Sequence, residues 1–342
     1  MTTVRTRTKF DTQQLRADLR TARLDATIAL LVTLAVFGWL YYRVADGTSP
    51  TIAVMPDLAD PGRYWMYWMC QAFGWTGLLW AWITVVLGLL RSSHSPRWLP
   101  VPQHSIEKWH RATSLTTIGL MFVHAAWLFA EFVRDYSATA GTAESVWRAF
   151  VDTFVPSAYP SGTGKVAIFI GLLALYLAIP LGLAFYSRRW LRPAIWRALH
   201  ASIIVVYALS VWHTLLYGTN VWYDGRFRTL VWILQLPIAA LVLYRLTNLP
   251  PSRQRTRATI VLRSVAALIV LGFIAIVCAA VLSGHDGGRT LGVAGMGLNV
   301  TRTNIWWGLV IFLVAVALSV VRARQIRRRA TVTGRVVPSE LR

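Results

Sequence analysis

The feature that most constrains this chain is a series of eight long apolar runs. They lie near residues 26–43, 69–90, 111–132, 165–186, 198–217, 229–246, 261–282 and 304–321 of 342. A bilayer's hydrocarbon core is about 30 Å thick, and about 20 apolar residues of helix cross it. Inside lipid every backbone N–H and C=O must be satisfied within the chain, so runs of this length predict transmembrane helices. Composition agrees: 56% of residues are hydrophobic and only 14% charged, where a soluble domain carries roughly a quarter charged. Mean hydropathy is +0.50. Seventeen Trp and twelve Tyr suit a membrane protein, because both favour the lipid–water interface. The predicted fold class is all-α integral membrane, with eight spans and both termini on one side. Pro180 and Pro237 fall inside the fourth and sixth runs and predict kinks, since proline frees a carbonyl that neighbours must satisfy.

The net charge of +21 raises the question of nucleic acid, but its distribution answers it. If the N-terminus is cytoplasmic, the inner segments hold 26 of the 35 Lys and Arg and 5 of the 14 acidic residues. The inner face then carries the whole net charge and the outer face none. That is the positive-inside pattern of a multi-pass protein of the cell membrane, with lipid and not nucleic acid as the expected surface partner. The first 24 residues are too polar for the start of a cleaved signal peptide, so the first run is expected to stay as an anchor. Cys70 and Cys278 lie in or beside apolar runs and read as packing residues. The outer loop 133–164 contains Trp147, Phe150 and Phe154, which suggests a short interfacial helix.

Four of the seven histidines lie at or within the runs: His110 and His124 in the third, His200 and His213 in the fifth. Ionisable residues at membrane depth are costly and are functional candidates by default. The spacings of 14 and 13 residues separate the members of each pair by roughly 20 Å of helix. One ion cannot bridge that distance, so a four-ligand zinc site is excluded. Two stacked cofactors fit. The third and fifth runs cross in the same direction, which places His110 opposite His200 near the cytoplasm and His124 opposite His213 nearer the outside. Imidazole is a common axial ligand of haem iron. Fourteen residues return almost to the same helix face, but thirteen miss by roughly 140°, so the fifth span must be tilted, distorted, or approach the two cofactors from different sides.

The stretches His110-Arg-Ala-Thr through His124 and Trp196-Arg-Ala-Leu-His200 through His213 resemble the ferric reductase-like transmembrane domain. That superfamily includes NADPH oxidases, ferric-chelate reductases and the haem-binding subunit of the bacterial methionine sulfoxide reductase system. The resemblance covers roughly residues 69–246 and the preceding span. It implies a six-helix haem domain over 26–246 with two bis-histidine b haems, His110 and His200 holding the inner iron, His124 and His213 the outer. It also implies a transmembrane oxidoreductase that passes electrons outward. Residues 1–25 would be a basic cytoplasmic segment, 247–321 two additional spans, and 322–342 a basic cytoplasmic tail. Many relatives continue into a flavin- and nicotinamide-binding region. No Gly-rich dinucleotide fingerprint occurs in these 342 residues, so FAD or FMN is expected only on a separate donor. A cytoplasmic flavin reductase or quinol would supply electrons. A ferric chelate, oxygen or an exported partner protein would take them. A non-redox permease or structural subunit is the reading from a different class.

Haem propionates are anionic, and Arg111 and Arg197 flank the inner pair, with Arg197 one turn before His200. Arg226 and Arg228 follow the fifth run and are candidates to meet the outer haem or an anionic acceptor. Trp127, Trp212, Phe122 and Tyr207 are candidates to pack on porphyrin, although aromatics at such positions more often pack within a bundle. His94 and His104 read as solvated, and His285-Asp286 alone does not make a metal site.

Overall fold

The computed structural model describes residues 10–92, 100–156, 158, 162–191, 193–247, 257–284, 286–288, 303, 306–311, 313, 314 and 317. Its elements are all helices: α1 (Thr12–Ala45), α2 (Pro50–Val54), α3 (Trp65–Ser92), α4 (Gln103–Tyr136), α5 (Thr142–Phe154), α6 (Gly162–Leu183), α7 (Pro193–Ala201), α8 (Ile203–Tyr217), α9 (Arg226–Ile233), α10 (Gln235–Thr247) and α11 (Arg257–Ser283). Short 3₁₀ turns at Pro56–Ala59, Ala184–Ser187 and Thr219–Val221 link them.

Seven helical segments among the described residues are long and apolar enough to cross a membrane, and they coincide with the first seven runs. The protein is therefore an all-α, multi-pass membrane protein. Half of the eighth run lies outside the described residues. Its described residues, 306–311, 313, 314 and 317, are helical, and Leu309 and Trp306 sit on the core.

Packing follows from which faces are small. The main core gathers Ala167, Ala174 and Ala178 of α6 with Val206, Leu209 and Leu216 of α8, and takes in parts of α3, α9, α10 and α11. A second cluster joins Ala29 of α1, Phe73 and Trp80 of α3 and Leu120 of α4. Leu30, Leu31 and Leu34 of α1 and Leu268, Ile269 and Leu271 of α11 stay exposed. A soluble protein rarely shows such apolar faces, whereas lipid covers them at no cost.

The proline expectations resolve differently. α6 continues through Pro180. The sixth span breaks at Leu234, between α9 and α10, with Pro237 in the first turn of α10. Proline lacks an N–H and its ring clashes with the carbonyl four residues back, which is Ile233, the last residue of α9. The Trp82 indole N–H donates to the Leu234 carbonyl at 2.6 Å, so a neighbouring helix satisfies a carbonyl at the break. The fifth span is also interrupted, at Ser202 between α7 and α8. That break is a distortion, one of the three options open for the 13-residue histidine spacing. The interfacial helix expected in 133–164 is α5. It leaves Trp147 and Phe150 exposed and packs Phe154 on Phe129 of α4 at 6.0 Å.

Candidate functional site

The four histidines meet in two pairs. His110 of α4 faces His200 of α7, with ring centroids 5.9 Å apart and planes at 87°. His124 of α4 faces His213 of α8 at 6.5 Å and 73°. An imidazole nitrogen binds a metal at about 2.0–2.1 Å, taking zinc as the gauge, so two rings on opposite sides of one ion have centroids roughly 6–6.5 Å apart. At 6.5 Å the His124–His213 pair has that spacing, and at 5.9 Å the His110–His200 pair is about 0.1 Å short of it. Because α4 is unbroken from Gln103 to Tyr136, the pairs are separated by roughly 20 Å of helix. One lies at the end of the bundle that carries α7, the other toward the end that carries α5.

Three of the four rings are held by one repeated device. The Nδ1–H of His110 donates to the Thr84 carbonyl at 3.0 Å. That of His124 donates to the Cys70 carbonyl at 2.7 Å, and that of His213 to the Ala167 carbonyl at 2.8 Å. A carbonyl oxygen only accepts, so Nδ1 carries the proton in each and Nε2 is the nitrogen left with a lone pair. A histidine that binds metal commonly donates its other ring nitrogen in this way, which fixes the tautomer and raises its basicity.

Four residues beyond each accepting carbonyl stands a glycine. A Cβ on Gly88 would come within 3.0 Å of the His110 ring, one on Gly74 within 3.0 Å of His124, and one on Gly171 within 2.8 Å of His213. One helical turn thus supplies both the acceptor and the bare backbone against which the ring lies. Gly74 and Gly88 are 14 residues apart on α3, the same spacing as His124 and His110 on the neighbouring α4. Sequence reasoning missed these three glycines, although that matching interval was there to find.

His200 is different. No carbonyl holds its ring among the described residues; instead it stacks on Trp196, one turn earlier, at 5.4 Å and 11°. His110 is buried, while His124, His200 and His213 are half-buried.

A cavity surrounds the pair at the α5 end. It is lined by both rings, by Gly74 and Gly171, and by apolar residues including Leu78, Met121 and Leu175. The aromatic residues on its wall are Tyr67, Phe73, Trp75 and Tyr217, and Tyr217 stacks on His213 at 6.3 Å and 25°. The four aromatics singled out from sequence are elsewhere. Trp127 packs edge-on against Trp65 at 5.2 Å, Phe122 is exposed, the Tyr207 hydroxyl donates to Gln235 at 3.1 Å, and Trp212 packs on the main core. Trp127, Tyr207 and Trp212 thus pack within the bundle, and Phe122 lies on its surface.

The arginines divide as well. Arg111 adjoins His110, but its Nε pairs with Asp18 at 3.2 Å and one terminal nitrogen with Glu107 at 2.7 Å. Asp18, itself buried, also accepts from the Tyr186 hydroxyl at 3.1 Å, so this cluster ties α1 to α4. Arg197 lies in α7 one turn before His200, and its side chain is outside the described residues. Arg226 is exposed. Arg228 is sealed, 1% exposed, against the Asp286 carboxylate at 3.1 Å and the carbonyls of Leu215 and Val221. It is not among the residues that line the cavity; its Nε and one terminal nitrogen are held by Asp286 and by the two carbonyls.

Both cysteines are free thiols; Cys70 is buried with its Sγ 3.4 Å from His124 Nδ1. His104 is exposed, and His94 and His285 lie outside the described residues. Among the described residues no three His, Cys, Asp or Glu side chains converge on one point, so each candidate centre offers two protein ligands. No protein-family model matches the chain, and searches of curated proteins and of solved structures return no match.

Proposed function

We propose that this protein is a transmembrane b-type cytochrome, an oxidoreductase of the cell membrane that carries electrons from a cytoplasmic donor to an acceptor outside, with a ferric chelate as the acceptor. The observation that carries this reading is the geometry of the two imidazole pairs, 5.9 and 6.5 Å between centroids, with Nε2 free on the three rings whose Nδ1–H is engaged by a carbonyl. Two ligands per centre suit a metal whose remaining positions are filled by a macrocycle. Haem, when bound, supplies reversible one-electron chemistry at the iron. His110 and His200 are the ligands at the cytoplasmic end and His124 and His213 those at the outer end, in a six-helix haem domain followed by two further spans with both termini inside.

The chain's own residues fix the tautomer and orientation of His110, His124 and His213 and hold the two pairs roughly 20 Å apart along α4. Arg111 and Arg197 are the proposed partners of anionic groups at the inner centre. Arg111 keeps one terminal guanidinium nitrogen outside its ion pairs with Asp18 and Glu107. The donor is a separate flavin reductase carrying FAD or FMN, or a quinol.

The test uses proteoliposomes with a flavin reductase, flavin and NADPH enclosed on the arginine-rich side and ferric citrate outside. External ferrous iron should appear with the intact protein and be lost in His124→Ala and His213→Ala. If the internal donor reduces the protein's visible chromophore but ferric citrate outside stays oxidised, the acceptor assignment is wrong. If no chromophore exists to be reduced, the cytochrome reading is wrong.

A further inference from the structure

The cavity around His124 and His213 is chemically polarised, and this bears on how it takes a ligand. Toward the middle of the bundle its wall is apolar: Gly77, Leu78, Met121, Leu172 and Leu175. At the α5 end the wall carries Gln71, Thr153, Thr219 and Asn220. Three of these form a chain. The Asn220 amide donates to the Gln71 carbonyl oxygen, the Gln71 amide donates to Thr219 Oγ1 at 2.7 Å, and Thr219 shares a 2.9 Å hydrogen bond with Thr51. This chain pins the turn after α8 onto α3.

Thr153 stands apart. It is 2% exposed, and its hydroxyl has no hydrogen-bond partner among the described residues. A helical threonine ordinarily satisfies its hydroxyl on the carbonyl four residues back, as Thr214 does on Ser210 at 2.9 Å. Thr153 forgoes that bond while lining the cavity. A buried hydroxyl without a partner is costly, and native interiors rarely leave one so unless a ligand or water completes it. Among the described residues no Arg or Lys lines the cavity, and Arg228, the nearest basic candidate by sequence, is sealed against Asp286. The ligand this wall suits has one broad apolar edge and one edge of hydrogen-bond acceptors that needs donors but no cation.

Resting on the haem reading above, we infer that the macrocycle at this centre sits with its two carboxylates toward α5, where the Thr153 hydroxyl donates to one of them. The second amide hydrogen of Asn220 is a further donor there. Neutral donors replace the arginine clamp that anionic groups usually recruit. Thr153 is a positioning residue in this arrangement, and α5 is part of the haem site as well as an interfacial helix.

The experiment loads the full-length chain, expressed under haem depletion, with either haem b or its dimethyl ester, whose carboxylates are blocked. Loss of haem to apomyoglobin is then followed. In Thr153→Val, one of the two loss phases should quicken about tenfold with haem b, equivalent to about 1.4 kcal/mol, and be unchanged with the ester. Thr153→Ser should restore the slow phase. The phase of the His110–His200 centre is the internal control. Equal acceleration with haem b and the ester, or of both phases together, would show that Thr153 matters only for packing and overturn the inference. So would an unchanged rate in Thr153→Val with haem b. A chain that takes up no haem at either centre would instead overturn the cytochrome reading on which this rests.

Discussion

The two histidine pairs differ in how they are built. At the α5 end both rings are pinned the same way, Nδ1–H to a carbonyl and ring face to a glycine, and the pair opens into a cavity with a polar margin. At the α7 end only His110 has that support. His200 sits on the nine-residue α7, just before the break at Ser202, and leans on Trp196. A ring held by a carbonyl and backed by a neighbouring helix can be displaced only if that helix moves. A ring held by stacking on its own helix turns when that helix frays. The α5-end pair is thus a preorganised site, and the α7-end pair is rigid on one side and adaptable on the other.

Removing ligands should separate the two pairs with the largest effect. His124→Ala or His213→Ala should cost the α5-end haem and spare most of the other, lowering the haem-to-protein ratio from near two toward one in a pyridine haemochrome assay. The reason is the roughly 20 Å of unbroken helix between the centres. If each variant, still folded, lost both haems equally, the two-centre division would be refuted.

A graded test uses the glycines. An added methyl at Gly171 meets His213 at 2.8 Å, closer than the 3.0 Å contacts at Gly74 and Gly88, and overpacking of a tight core typically costs about 1–3 kcal/mol. Gly171→Ala should therefore disturb the low-spin spectrum of the α5-end centre more than Gly74→Ala does. Gly88→Ala should disturb only the other centre. Electron paramagnetic resonance on the three variants checks the order, and indistinguishable spectra would mean the glycines do not seat the rings. A milder effect is expected for Trp196→Leu. It should broaden or shift the signal of the α7-end centre alone, because His200 loses its stacking partner and no carbonyl replaces it.

The smallest effect lies outside the spans. Burial, and a hydrogen bond shared with Asp224, raise the Asp286 carboxyl from 3.8 to about 7 against the opposing pull of Arg228. A carboxyl whose folded value is raised favours the docked state most at low pH. That contribution is lost as pH rises from about 4 through about 7. The protection factors of the backbone amides around Asp286, which correct each exchange rate for its intrinsic pH dependence, should accordingly be higher at pH 5 than at pH 8, and Asp286→Asn should flatten the difference. Lower protection at pH 5 would reverse the sign and contradict the assignment.

The parts of this architecture legible in the sequence are those that repeat along one helix. Apolar runs announce spans, and a 14-residue interval announces that His110 and His124 share a face. The depth argument that pairs His110 with His200 and His124 with His213 also needs only counting, and the pairs meet as it expects. What joins one helix to another was not legible. The Thr84, Cys70 and Ala167 carbonyls bear no side-chain signature. Arg228 looked available because its acidic partner, Asp286, lies 58 residues away in sequence. The aromatics near the ligands in sequence are absent from the cavity wall, which takes Tyr67, Phe73, Trp75 and Tyr217 instead; three of those four come from α3, a different helix from the ligands. The break at Ser202 was foreshadowed only as a misfit in angle.

If each histidine pair holds one haem, the haem content and spectrum of the purified, haem-sufficient protein show it most directly. Two b haems per chain, with a dithionite-reduced minus oxidised spectrum showing low-spin α-bands that titrate as two one-electron steps, are expected. A ratio near zero, with the helices intact by circular dichroism, would contradict the account.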